Sequence, residues 1–180
     1  MGIVASVTIL LSSLIALSQD ELKRRLAFST ISQLSYIVLG IALLSPKGML
    51  GGVLHIAMHA FGKITLFFCA GAIMVATGKK YISQMSGLGR TMPLTFFAFL
   101  IGSMSVIGLP PTGGFFSKWN LLLGAVNSDQ FVFMLVLLLS SLLNAIYFLP
   151  IVFKAFFALN TEQENDPEIN EAPLCRLIPL

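Results

Sequence analysis

The chain has 180 residues, 56% of them hydrophobic and only 11% charged, with a mean hydropathy of +0.89 and a formal net charge of +3. A soluble domain carries about 25% charged residues, so this composition excludes a water-exposed globule and implies an all-α fold, an integral membrane helical bundle. The small charge excess excludes a nucleic-acid binder. Cys69 and Cys175 have neither metal nor redox spacing.

In chain order, residues 2–18 form a first apolar span. They lack the basic start and small-residue cleavage site of a signal peptide. "QDELKRR" (Gln19–Arg25) reads as a charged loop. Residues 26–45 form a second span, rich in Ser and Thr and closed by "SPKG". Residues 50–77 form a third, followed by the basic loop "GKKYISQMSGLGRTMP". Residues 92–126 are apolar but broken by "GLPPTGG" (Gly108–Gly114). "NSDQ" is a turn, and residues 131–159 form the last span. A spanning helix needs about 20 residues, so the piece after the break is too short to cross alone. The reading is one discontinuous span within about five transmembrane helices, since irregular backbone at membrane depth is tolerated where protein or water surrounds it. The domain organisation follows: a membrane domain over 1–159, an acidic cytoplasmic linker over 160–172, and the start of a further apolar segment over 173–180.

Loop charge supports five crossings. One side receives Lys23, Arg24, Arg25, Lys79, Lys80, Arg90 and the end bearing Lys154, and the other receives Lys47. By the positive-inside rule the N-terminus is outside and the C-terminus cytoplasmic, in a bacterial inner membrane.

Within the oily third span, "LHIAMHAFGKITLF" places His55, His59 and Lys63 four residues apart, on one face of a helix. Counting about 1.5 Å per residue from position 50, Lys63 falls roughly 20 Å in, near the middle of a core about 30 Å thick. Lys118 lies just after the break, also near mid-membrane. A lysine there costs at least about 2.5–3.5 kcal/mol on insertion scales, so it faces a protein interior or water and marks function by default. Imidazole exchanges protons near neutrality. Removing an amine from water disfavours its charged form, so a buried lysine can change charge, and an approaching cation would favour its neutral form. Lys118, Lys63, His59 and His55 are therefore the expected proton path. Water-wire candidates are Ser32, Gln33, Thr65 and Ser117, with Ser29, Thr30, Ser35, Ser103, Ser105 and Thr112 as further hydroxyls; each of them also suits helix packing. Gly108, Pro110, Pro111, Gly113 and Gly114 form the break, with a half-helix expected from near Phe115. His55 and His59 have zinc-compatible spacing but no third ligand, so no metal is expected.

Three segments together resemble one family. "DELKRRLAFSTISQLSYIVLG", "HIAMHAFGKITLF" and "GLPPTGGFFSKW" are similar, in order and spacing, to motifs of the antiporter-like proton-translocating family. That family comprises the large subunits of Mrp-type cation/proton antiporters and the membrane pumping subunits of respiratory complex I. The resemblance covers about residues 1–159 and implies the second five-helix repeat of a fourteen-helix fold. By the same resemblance Lys118 matches the central lysine of the second half-channel, Lys63 a connecting lysine, and His59 and His55 the histidines beside it. Trp119 and Asn120 after the lysine, and "EAPLCRLIPL", look most like the D-type antiporter branch, with the NADH-quinone oxidoreductase branch as the alternative. The implied function is proton conduction in a multisubunit monovalent cation (Na+)/proton antiporter; a non-transporting fragment or assembly subunit is a further alternative. No bound cofactor is implied, and the transported ions are H+ and Na+. Implied partners are other subunits of the assembly, a chain supplying the first repeat, and the lipid bilayer. Redox chemistry would reside in partner subunits, so the chain is read as a transporter subunit rather than an enzyme.

Overall fold

The computed structural model describes residues 1–158, where seven α-helices and one 3-10 turn (Ile82–Gln84) follow one another without a strand. The linker and apolar segment expected over 160–180 lie outside the described residues, as does residue 159.

The first two helices are α1 (Gly2–Ser18) and α2 (Leu22–Ala42). α2 begins four residues before the expected position 26. Leu22 and Leu26 are both buried, so their anchoring draws the first turn into the helix and leaves Lys23 and Arg24 outside. Arg25 folds back to satisfy the end of α1. Its Nε donates to Gln19 O at 2.9 Å and a terminal nitrogen donates to Leu17 O at 3.3 Å. Its other terminal nitrogen donates to Tyr147 O at 3.0 Å.

Helix α3 (Pro46–Thr77) also starts four residues early. Pro46 holds a first-turn position, where its missing N–H costs nothing, and the Ser45 side chain accepts from Gly48 N at 3.1 Å. The earlier start moves His55, His59 and Lys63 about 6 Å further from that helix end than counted from position 50. α3 ends at Gly78, in the left-handed conformation at φ 69°. The short α4 (Leu88–Thr91) leads to α5 (Pro93–Ile107), α6 (Gly113–Asn127) and α7 (Phe131–Phe157).

α3 packs against α2, α5 and α6, while α7 packs against α1, α5 and α6. α2, α3 and α7 are each long and apolar enough to cross a membrane, and α1 and α5 are shorter apolar helices. The 17 residues of α1 sit at the short end of spanning length. α5 and α6 are the two halves of the broken span. The outer faces are apolar, with Val7, Leu11 and Leu14 of α1 and Leu135, Leu138 and Leu142 of α7 exposed.

The two ends of the bundle are tied separately. At the basic end Leu22 N donates to Lys80 O at 3.1 Å, Ser83 Oγ to Asp20 at 2.6 Å, and Gly87 N to Lys154 O at 3.4 Å. At the other end Ser128 Oγ donates to Leu43 O at 3.0 Å, and Ser45 Oγ to Gly124 O at 3.2 Å. The loops expected to share one side do converge.

The core is layered along the bundle. One apolar cluster, with Leu26, Leu66, Phe96, Phe99 and Phe148, fills the basic half. A second, with Ile9, Leu39, Leu121 and Leu137, fills the opposite half. Buried polar side chains occupy the level between them.

Candidate functional site

Helices α2, α3, α6 and α7, with the break and Ser13 of α1, build this polar layer. Lys118 sits on the second turn of α6, 6% exposed. Its ammonium donates to Ile107 O at 3.0 Å and to Ser141 Oγ at 3.2 Å, and lies 4.9 Å from the Tyr36 ring centre. Ile107 is the last residue of α5. A carbonyl at a helix end has no intrahelical donor, so the break supplies an acceptor to the buried cation. An aromatic face adds quadrupole attraction.

The break spans Gly108–Thr112, with a cis bond between Pro110 and Pro111. Gly113 and Gly114 belong to the first turn of α6, so the half-helix starts two residues before the expected Phe115. Gly108 adopts φ 87°, favourable for glycine. A Cβ on Gly114 would collide with Ser105 O. The glycines thus admit the sharp turn and let α6 press against α5.

His55, His59 and Lys63 lie on one face of α3, all buried. The His55 Nδ1 pairs with Ser117 Oγ at 2.9 Å and Nε2 with Gln33 Oε1 at 3.0 Å. Its ring stacks on Tyr36 at 5.3 Å and on His59 at 5.9 Å. The His59 Nδ1 has no hydrogen-bond partner among the described residues. Lys63 donates to Leu26 O at 3.0 Å and to Ser29 Oγ, with its ammonium 5.4 Å from the Phe148 ring centre. A groove of about 420 Å³ runs beside His59, Lys63, Ile64 and Phe67 on the outside of α3. Lys118, Tyr36, His55 and His59 form a continuous series of contacting groups, and His59 and Lys63, one helical turn apart, line the same groove.

Of the water-wire candidates, Gln33 and Ser117 touch His55 directly. Ser32 belongs to a triad with Ser13 at 2.9 Å and Ser140 at 3.5 Å, joining α2, α1 and α7. Thr65 stands apart, its hydroxyl donating back to Phe61 O at 3.0 Å. Among the described residues the acidic side chains are Asp20, Glu21 and Asp129. Asp20 and Glu21 are at the basic end and Asp129 at the other end, so neither buried lysine has a carboxylate contact among the described residues.

Sequence reasoning missed a polar stripe on α7. Ser140, Ser141, Asn144 and Tyr147 share one face and meet Ser29, Ser32 and Tyr36 of α2. Tyr147 OH donates to Asn144 Oδ1, and Tyr36 OH to Leu137 O at 3.4 Å. The available signal was helical spacing: i, i+3, i+7 for Ser29, Ser32 and Tyr36, and i, i+4, i+7 for Ser140, Asn144 and Tyr147, with Ser141 beside them.

Residues 1–144 match the family model described as NADH:quinone oxidoreductase/Mrp antiporter, TM. The chain belongs to this family. It is 44% identical over 156 residues to NADH-quinone oxidoreductase subunit N of Desulforudis audaxviator (strain MP104C), covering 87% of this chain and 31% of that protein. It is 33% identical over 180 residues to the D-type Na(+)/H(+) antiporter subunit of Alkalihalophilus pseudofirmus (strain ATCC BAA-2126 / JCM 17055 / OF4), covering 99% of this chain and 36% of that one. In the solved Mrp complex from Dietzia sp. DQ12-45-1b, one chain superposes with a TM-score of 0.82 at 30% identity, over 94% of this chain and 34% of its own length. The chain therefore spans about a quarter to a third of the length of the relatives it matches. Both branches of the quinone oxidoreductase/antiporter family are represented among them.

Proposed function

We propose that the chain forms the proton-conducting second five-helix repeat of a membrane subunit in a multisubunit Na+/H+ antiporter. Protons move along Lys118, His55, His59 and Lys63. The observation that carries this reading is the row of two buried lysines and two buried histidines, linked by contacts from Lys118 through Tyr36 and His55 to His59, with no carboxylate beside them among the described residues. Lys118 is the central exchange group, steadied by Ile107 O and Ser141. His55 and His59 pass protons across one helical face to Lys63. The remaining helices of the longer relatives, including a first repeat, supply the opposing wall. The assembly lies in a bacterial inner membrane with the basic loops cytoplasmic and the N-terminus outside.

The 44% identity to a quinone oxidoreductase subunit supports a second reading, in which the same proton path serves a redox-driven pump. The deciding experiment uses the whole assembled complex in proteoliposomes. Lys118→Ala is expected to reduce proton flux on the order of 100-fold or more, the range of a lost acid–base group. Unchanged flux overturns the central role of Lys118. Sodium-driven exchange that ignores quinone-site inhibitors selects the antiporter, and flux that those inhibitors abolish selects the pump.

A further inference from the structure

Proton accounting at His55 is unusually tight. Its Nε2 faces a carboxamide oxygen, Gln33 Oε1, at 3.0 Å, and that oxygen can only accept. In this orientation of the carboxamide, whose own Nε2 has no hydrogen-bond partner among the described residues, His55 Nε2 carries a hydrogen. Its Nδ1 faces Ser117 Oγ at 2.9 Å. The Ser117 hydroxyl has one hydrogen and also lies 2.9 Å from Gly114 O. If that hydrogen goes to Gly114 O, Nδ1 must donate to Oγ, and the ring is the cation. If it goes to Nδ1, the ring is neutral and Gly114 O loses that donor.

We propose that the Ser117 hydroxyl is a two-position switch, donating to Gly114 O when His55 is protonated and to His55 Nδ1 when it is neutral. Gln33 holds the Nε2 hydrogen in both positions. This rests on the reading that protons pass along the row. The arriving proton resides on Nδ1, Ser117 keeps its own hydrogen, and no other group changes charge. Ser117 directly precedes Lys118, and Gly114 lies in the first turn of α6. Proton loading of His55 is thereby transmitted to the half-helix that carries Lys118. The titratable groups facing the ring are Tyr36 of α2, His59 of α3 and Lys118 of α6. The fourth element of this neighbourhood, α5, carries none.

The test combines nitrogen-15 NMR of histidine in the assembled complex, assigned by difference against His55→Gln, with proton flux. The neutral His55 ring is expected as the Nε2–H tautomer. Gln33→Leu should convert it to Nδ1–H donating to Ser117, while Gln33→Glu should keep Nε2–H. Ser117→Ala should slow flux on the order of tenfold, the loss of about one hydrogen bond, and move the pH profile, with Ser117→Thr restoring both. A wild-type Nδ1–H tautomer, or a tautomer indifferent to Gln33→Leu, overturns the proposal. So does wild-type flux and pH profile in Ser117→Ala when Lys118→Ala is inactive. If Lys118→Ala keeps full flux, the proton-path reading fails, and the tautomer measurement still decides the switch. The Gln33 variants leave Ser117 intact, so that readout survives a Ser117→Ala complex that does not assemble.

Discussion

Gly108 shows how much one residue contributes to placing the buried charge. Its φ of 87° is in the left-handed region, where a side chain costs roughly 1–2 kcal/mol. A Cβ there would also approach Lys118 Cδ to 2.8 Å. The neighbour is the stem of the central lysine, so the substitution acts on the site as well as on backbone strain. Gly108→Ala is expected to lower the thermal stability of the assembled complex and also to cut proton flux. Flux at the wild-type level, measured in proteoliposomes normalised for the amount of assembled complex, would show that Lys118 does not depend on this close approach. The reason for expecting a coupled loss is the fixed length of the side chain. Its ammonium reaches Ile107 O and Ser141 Oγ at once, and a shifted stem cannot keep both.

At the scale of elements, helix starts depend on side chains that composition alone does not weigh. Ser45 accepts from Gly48 N and donates to Gly124 O, so one hydroxyl caps α3 and ties it to the end of α6. Ser45→Ala is expected to cost about 1 kcal/mol and to lower the temperature at which the chain leaves the assembled complex. Ser45→Thr keeps the hydroxyl and should restore it; a Thr variant as labile as Ala would assign the loss to packing around Gly48 instead. The same residue explains an error of four residues in reading α3. "SPKG" looks like a loop by its polarity, yet Ser and Pro there are a cap and a first-turn residue. The spans of α1 and α7 and the Pro/Gly break were legible, because long apolar runs and paired prolines leave few alternatives. The row His55, His59, Lys63 was legible as one face of a helix. Its neighbours were not. Asn144 and Tyr147 are scattered through a leucine-rich helix, and their spacing gains meaning only once α2 lies opposite with Ser29, Ser32 and Tyr36. Tyr36 lies between Lys118 and His55, a relation between helices that no local pattern encodes.

At the scale of the whole molecule, the loops and the long α3 helix together define a polarity that can be measured. Lys47 is exposed in the first turn of α3, and Lys80 is exposed just beyond its end. The 32 residues of α3 make a helix about 48 Å long, which exceeds the hydrocarbon core of about 30 Å. The two lysines must then lie on opposite sides of the membrane. Lys80 joins Lys23, Arg24 and Arg90 at the basic end, where the hydrogen bonds of Asp20 and Ser83 hold the two basic loops together. Cytoplasmic loops collect Lys and Arg, so the basic end is expected to face the cytoplasm. Lys47→Cys and Lys80→Cys, each in a background with Cys175→Ser, should react with a membrane-impermeant maleimide from opposite faces. Lys80→Cys should label in inside-out vesicles and Lys47→Cys in right-side-out vesicles; Cys69 is buried and should stay silent. Reversal of both sites would invert the orientation while leaving the bundle intact. Labelling of both sites from one side would be incompatible with α3 as a spanning helix, and with it the mid-membrane position of His59 and Lys63 on which the proposed proton path rests.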